Sequence, residues 1–350
     1  MPKVVSDQEK VARFRAFWQR SETDRPLIGA TIATFPSVRA VRREAGLVQP
    51  EDLDIQENIK ELDEEWEQWR HVMGDALWAA NPLWAFPWYL AMAGCPIKRD
   101  ADNLWALPAL DDWSQLETLR FGPSDPWYRR QLEFTRALVE HAEGRYPVGS
   151  GQLMLGPVDM MMQVRGQERL ALDLYDAPEM VLALGQRCVN LCADAVDALS
   201  PAVPTYHGGR AGTIRYFWAP GEFVETAEDL SFMMSPAAHR QFVVPFHRAL
   251  GRRFPCTLVH LHSAQLHTVP NLLEVEEIAA IQITPDFGED MVPKIPLMAQ
   301  ILERKPLLVH GVMTVESMRE MIRLLPARGL ALFCRCDSPA EAAAVLEAIL

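Results

Sequence analysis

Residues 255–288 read PCTLVHLHSAQLHTVPNLLEVEEIAAIQITPDFG, and the way this stretch divides decides the fold. It opens on a β-prone run (255–263), passes through a segment of helical character (264–277), and returns to a second β-prone run (278–288). Two more such runs follow, PLLVHG at 306–311 and LALFCRCD at 330–337, with PLMAQILERK and VESMREMIRLLPARG between them. His260 to Asp286 spans 26 positions, Asp286 to His310 spans 24, and His310 to Cys334 spans 24. A strand, a helix and their loops fill that interval, so the pattern predicts a βα series with parallel strands.

Working outward, four earlier runs continue the beat: 26–36, 75–86, 146–157 and 203–212. Eight strands in such a series predict an α/β fold, a (β/α)8 TIM barrel. The 350 residues suit one domain, 1–350, of that kind. A helix at about 6–20 is expected ahead of the first strand. The Trp-, Pro- and Asp-rich stretch at about 88–130 lacks periodicity and reads as an insertion after strand two, a lid over one end of the barrel. Residues 51–73 and 177–199 carry amphipathic helical patterns, the second placing Cys188 and Cys192 four apart as packing residues.

Charge narrows the function. A formal net charge of −13 argues against a phosphate-backbone partner, which needs clustered Lys and Arg. The first 22 residues are charged throughout, without the apolar stretch of a secretory signal. No run reaches the roughly 18 apolar residues of a membrane span. The expected location is the cytoplasm, with no membrane partner and with the six cysteines reduced.

Side chains two apart on a strand share a face, so His260 and His262 project together, as do Cys334 and Cys336. In a barrel these positions lie at the C-terminal strand ends, where function gathers. Imidazole nitrogen and thiolate sulfur are zinc ligands, and three protein ligands with one open position describe a catalytic zinc. The competing reading makes the same residues hydrogen-bonded structure and core packing. Asp286 and His310, at the ends of strands six and seven, are candidates for acid–base catalysis, as is His207 after strand four; Asp286 in TPDFG also reads as a turn residue. Tyr206 and Arg210 beside two glycines, and Gln152 in the third run, are candidate substrate contacts. Trp84 and Trp88, with Trp78 and Trp105, would wall a site for a ring-shaped ligand or else belong to the core.

From about residue 75 onward the chain resembles the uroporphyrinogen decarboxylase superfamily, a (β/α)8 family that includes corrinoid-linked methyltransferases. The resemblance is carried by FPWYLAMAGCPI (86–97), EDLSFMMSPAAHRQFVVPFHRAL (228–250), LVHLHSAQL (258–266) and CRCDSPAEAAAVLEAIL (334–350). The decarboxylases themselves carry Arg-Gln-Ala-Gly-Arg-Tyr after strand one and an Asp after strand two. The matching regions here, FPSVRAVRREAG and WAANPLWAF, have neither. The methyltransferase branch is similar at a different point: it binds zinc through His-x-Cys on strand five and a Cys ending strand eight. The resemblance implies that His260 matches the His, that His262 stands where Cys is usual, and that Cys334 or Cys336 matches the late Cys. It further implies a zinc-dependent methyltransferase acting on a small methylated substrate or a thiol, with cobalamin carried by a separate corrinoid protein. A homodimer is a possible assembly. Two alternatives stay open: a metal-free decarboxylase or lyase of a cyclic small molecule, and an inactive ligand-binding barrel.

Overall fold

The computed structural model describes residues 5–32, 38–42, 44–83, 85–101, 103–149, 155–212, 216–286 and 289–350. Its centre is a parallel sheet of six strands: β1 (Leu27–Ile32), β2 (Phe223–Ala227), β3 (Cys256–His262), β4 (Ala280–Thr284), β5 (Leu307–Gly311) and β6 (Leu330–Cys336), in the order β1-β6-β5-β4-β3-β2. Nearly every residue of these strands is buried, as expected of parallel strands covered on both faces. Helices intervene at the expected places, Ile295–Arg304 after β4, Val315–Leu324 after β5 and Pro339–Ile349 after β6. The last two start at Thr314 and Ser338, whose hydroxyls accept the N–H groups of Ser317 and Glu341.

The sequence-predicted strands five to eight are thus β3 to β6, and the first is β1. The fourth lies elsewhere. Residues 203–212 supply only Arg210–Gly212, which pairs antiparallel with Phe217–Ala219, and the parallel strand is the later FVETA segment. Glu225 and Thr226 interrupt what would otherwise read as an apolar run, which hides β2 from a pattern search. Strands two and three are also corrected. Among the described residues, 75–86 and 146–149 form no regular strand, only an Ala80–Val148 parallel bridge, with Ala80 N–H donating to Pro147 O at 2.9 Å and Gly149 N–H to Ala80 O at 2.7 Å. Residues 73–75 meet β1 through Ala30 N–H to Met73 O (3.2 Å) and Asp75 N–H to Ile28 O (2.9 Å). The architecture is α/β with a six-stranded parallel sheet, consistent with a barrel-like fold.

Gly29 on β1 permits that close approach. A Cβ there would lie 2.9 Å from Ala76 Cβ and 2.8 Å from the Phe333 ring, so the absent side chain leaves room for Phe333 in the core.

The N-terminal helix runs Asp7–Gln19 and is closed by a capping box between Ser6 and Glu9. The expected insertion has order of its own. Trp88–Met92 is a short helix, and Ile97–Asp100 with Asn103–Ala106 forms a hairpin that adds Ala45–Leu47 to make a three-stranded antiparallel sheet. The helix Pro126–Ala142 already begins inside its predicted end. No helix of the described residues is long and apolar enough to cross a membrane.

Candidate metal centre

Partners in a parallel register point to the same side, and one such row runs Ala227, His260, Gln282, Leu308, Ala331, Leu27. Steps of two along each strand put Glu225, His262, Thr284, His310, Phe333, Arg335, Gly29 and Thr31 on that face as well. Cys334 and Cys336 pair with Ala30 and Ile32 and belong to the opposite face. The structure therefore unites His260 with His262 and leaves the two cysteines apart from them. Cys334 Sγ donates instead to Met313 O at 3.4 Å, and Cys336 Sγ to Cys334 O at 3.7 Å. A hydrogen bond between the two thiols lowers the pKa of Cys334, while that bond and burial push Cys336 up.

The third group near the histidines is Asp229, two residues beyond the end of β2. Ligand-type atoms of Asp229, His260 and His262 all lie within 4.8 Å of one another. Asp229 Oδ1 is 3.9 Å from His260 Nε2, and the imidazole centroids are 4.9 Å apart at 74°. The Nδ1 atoms have their own acceptors. His260 Nδ1–H donates to Gln282 Oε1 on the neighbouring strand, and Gln282 in turn donates to Thr284 Oγ1 at 2.9 Å. His262 Nδ1–H donates to Asp286 Oδ1 at 2.9 Å. Each acceptor fixes the tautomer that keeps a lone pair on Nε2, the arrangement found behind metal-bound histidines. Two imidazoles and one carboxylate suit a divalent ion of the zinc or ferrous type.

Asp286 is thereby an orienting carboxylate. Burial alone would raise its pKa, but Ser263 Oγ–H at 2.7 Å, the Ala264 N–H at 2.9 Å and His262 hold it below the ordinary value. Separately, Glu289 N–H donates to Asp286 O at 2.9 Å, the i to i+3 bond that the turn reading of TPDFG implies.

The turn carrying Asp229 rests on a fully buried polar network. The Glu228 carboxylate accepts from His239 Nε2 at 3.0 Å, His247 Nε2 at 2.5 Å, Ser231 Oγ at 2.9 Å and Thr268 Oγ1 at 3.2 Å. Burial works against its ionisation, yet the hydrogen bonds and charges of His239 and His247 bring its pKa down to about 2. Asp159 lies behind the same turn, accepting the Leu230 N–H at 2.9 Å; burial and the neighbouring Asp229 push its carboxyl up to about 7. Nothing in the sequence pattern picks out Asp229, because its strand is the one the pattern misses.

The remaining candidates sit elsewhere. His310 shares the His260 face, but its Nε2 is 2.8 Å from Thr31 Oγ1 and it is outside the cluster. Tyr206 and His207 pack toward the N-terminal helix, Tyr206 OH donating to Asp7 and Arg15 Nη2 to His207 O at 3.0 Å, while Arg210 donates to Glu222 and Ser200. Trp88 is a core residue, 4% exposed, whose Nε1 donates to Pro82 O at 2.8 Å and whose ring meets Phe86 and Phe134. Trp78 is equally buried, held by Glu65 at 2.6 Å, whereas Trp105 packs beside Lys98. Neither Tyr206, Arg210 nor Trp88 lines the cavity described next. Trp84 and Gln152 lie outside the described residues.

A cavity of about 310 Å3 opens beside the cluster, lined by Met162, Gln167, Asp229, Leu230, Phe232, Met233, His262, Ala264, Gln265 and Asp286. Its volume is at the lower end of small-molecule sites, about 300–1,000 Å3. Phe232 and Met233 are exposed, on the turn that carries Asp229.

No protein-family model matches the chain, and no curated protein matches it. Among solved structures the chain is similar to a methyltransferase from Methanosarcina mazei, with a TM-score of 0.64 at 13% sequence identity, over 98% of this chain and 98% of that one. At that identity the shared property is the fold, which extends over nearly the whole of both chains.

Proposed function

We propose that this chain is a metal-dependent methyltransferase acting on a small methylated substrate or a thiol, with a separate corrinoid protein as its methyl partner. The observation that carries the reading is the convergence of Asp229, His260 and His262 at the ends of adjacent strands, with Asp229 and His262 on the wall of a small cavity, in a fold shared with a methyltransferase. His260 and His262 would hold the ion through nitrogen and Asp229 through oxygen. Bound there, zinc would supply Lewis acidity toward a substrate heteroatom.

The chain's own residues do the rest. Gln282 and Asp286 hold the two imidazoles in one tautomer and one orientation. Met162, Leu230, Phe232 and Met233 give the cavity apolar walls that displace water from a bound methyl group, while Gln167 offers an amide to orient a polar end. The cavity has the volume of a small substrate, and a corrinoid would approach from outside, at the rim where Phe232 and Met233 are exposed.

The test is metal content by plasma mass spectrometry on protein purified without a metal-binding tag, followed by methyl transfer from a panel of methyl donors to a corrinoid protein. The expected result is about one ion per chain and cobalt methylation with at least one donor. Protein that holds no ion and accepts none on reconstitution overturns the metal; a metal-loaded protein with no methylation of cobalt from any donor overturns the transfer.

A further inference from the structure

We infer that Gln265 is a positioning residue that sets the separation between the two arms of the metal centre. Its Oε1 accepts the backbone N–H of His262 at 2.6 Å, and its Nε2 donates to the backbone carbonyl of Glu228 at 2.6 Å and to Ser231 Oγ at 2.9 Å. Glu228 is the residue before Asp229. One side-chain amide thus holds the main chain of one ligand residue and the peptide that leads into the other. The two segments belong to different strands, β3 and β2, and nothing covalent fixes their spacing over the 33 positions between Asp229 and His262.

The choice of residue matters chemically. Only an amide presents an acceptor and donors on the same planar tip. Glutamate at this place would turn a carboxylate oxygen toward the Glu228 carbonyl, and an aliphatic residue would take the acceptor from the His262 N–H and leave the Glu228 carbonyl with the Ser231 N–H (2.8 Å) but without its side-chain donor. Gln265 is 1% exposed, and its backbone carbonyl accepts Thr268 Oγ1–H at 2.8 Å, so its own position is fixed. Thr268 also donates to the Glu228 carboxylate, which joins the clamp to the buried histidine pair.

This inference rests on the metal reading above, and its test separates the two. The experiment uses the full chain loaded with Co(II), measuring affinity by chelator competition and ligand-field absorption at saturation. Gln265→Met and Gln265→Glu are compared with Asn271→Ser. Asn271 belongs to the same buried network, donating to His239 Nδ1 at 3.1 Å and to Pro236 O at 2.8 Å, but touches neither ligand segment. Expected are a loss of metal affinity of about 10–100-fold in both Gln265 variants, a changed Co(II) absorption envelope, and an Asn271→Ser protein that melts earlier yet binds Co(II) like wild type. A wild type that takes up no Co(II) overturns the metal reading itself. Gln265 variants with wild-type affinity and spectrum, or an Asn271→Ser variant that loses affinity equally, overturn the positioning role. If Gln265→Met does not fold, Gln265→Asn serves, since a shortened amide keeps the polarity and moves only the reach.

Discussion

The Nδ1 of His262 donates to Asp286 Oδ1 across 2.9 Å, from the last residue of β3 to a residue two beyond β4. The contact makes Asp286 the holder of that imidazole. Asp286→Asn keeps the shape and can present its NH2 to Nδ1, which would favour the tautomer with the proton on Nε2. We expect metal affinity to fall by roughly 10–100-fold, with the unligated protein little changed in melting temperature. Chelator competition on the two proteins checks this, and equal affinity would return Asp286 to a turn residue.

The cysteines give an opposite expectation. Cys334 and Cys336 lie on the face away from His260, so Cys334→Ser and Cys336→Ser should keep the metal content that His260→Ala and Asp229→Ala lose. Both thiols are buried, and a hydroxyl placed there lowers stability by about 1–3 kcal/mol where its hydrogen bond is imperfect. Metal content and urea midpoints on the four variants decide the matter; loss of the ion in Cys336→Ser would put a thiolate back into the ligand set.

How these positions are reached explains what was legible in the sequence. Strands β3 to β6 were readable because buried parallel strands make apolar runs, and their 24–26-position spacing matches the βα unit. The i, i+2 spacing correctly joins His260 with His262 and Cys334 with Cys336, but a period of two cannot say which face each pair takes. That depends on register, set by neighbouring strands far away in the chain. Asp229 was invisible for a related reason: Glu225 breaks the pattern of β2, and without β2 there is no strand end to search. Trp88 shows the limit of composition, since an aromatic cluster that could wall a cavity has the same residues as one that fills a core.

Glu65 makes a prediction about pH. Burial raises its carboxyl from 4.5 to about 7, although Trp78 Nε1–H donates to it at 2.6 Å. A carboxyl with a raised folded-state pKa binds its proton more tightly when folded. Its contribution to stability is therefore present below pH 4.5 and is lost as pH rises through about 7. Glu65→Gln keeps an acceptor for Trp78 and removes the ionisation. The variant should show a flatter stability profile between pH 4.5 and 7, and at pH 8 it should exceed wild type by roughly 3 kcal/mol. Urea denaturation across that range provides the measurement; parallel profiles for the two proteins would refute the assignment.

Glu228 should behave in the reverse sense. Against the burial that would raise it, His239 and His247 pull its pKa from 4.5 to about 2. A depressed carboxyl contributes stability that is fully present above pH 4.5 and lost as pH falls toward about 2. Glu228→Gln removes the charge that both histidines face, and breaking a buried ionic group in this way costs about 3–5 kcal/mol. The variant should be less stable at pH 7 and lose less on acidification than wild type. Because Glu228 precedes Asp229 and its carbonyl receives Gln265, the same substitution should also loosen the metal centre, while Lys305→Met, which removes a buried ammonium that donates to the Val275 and Ile278 carbonyls, should not. Melting curves from pH 7 to pH 3 with Co(II) affinity on both variants test the coupling. Equal metal binding in Glu228→Gln would mean that the histidine pair anchors the helices at 236–253 alone and does not reach the site.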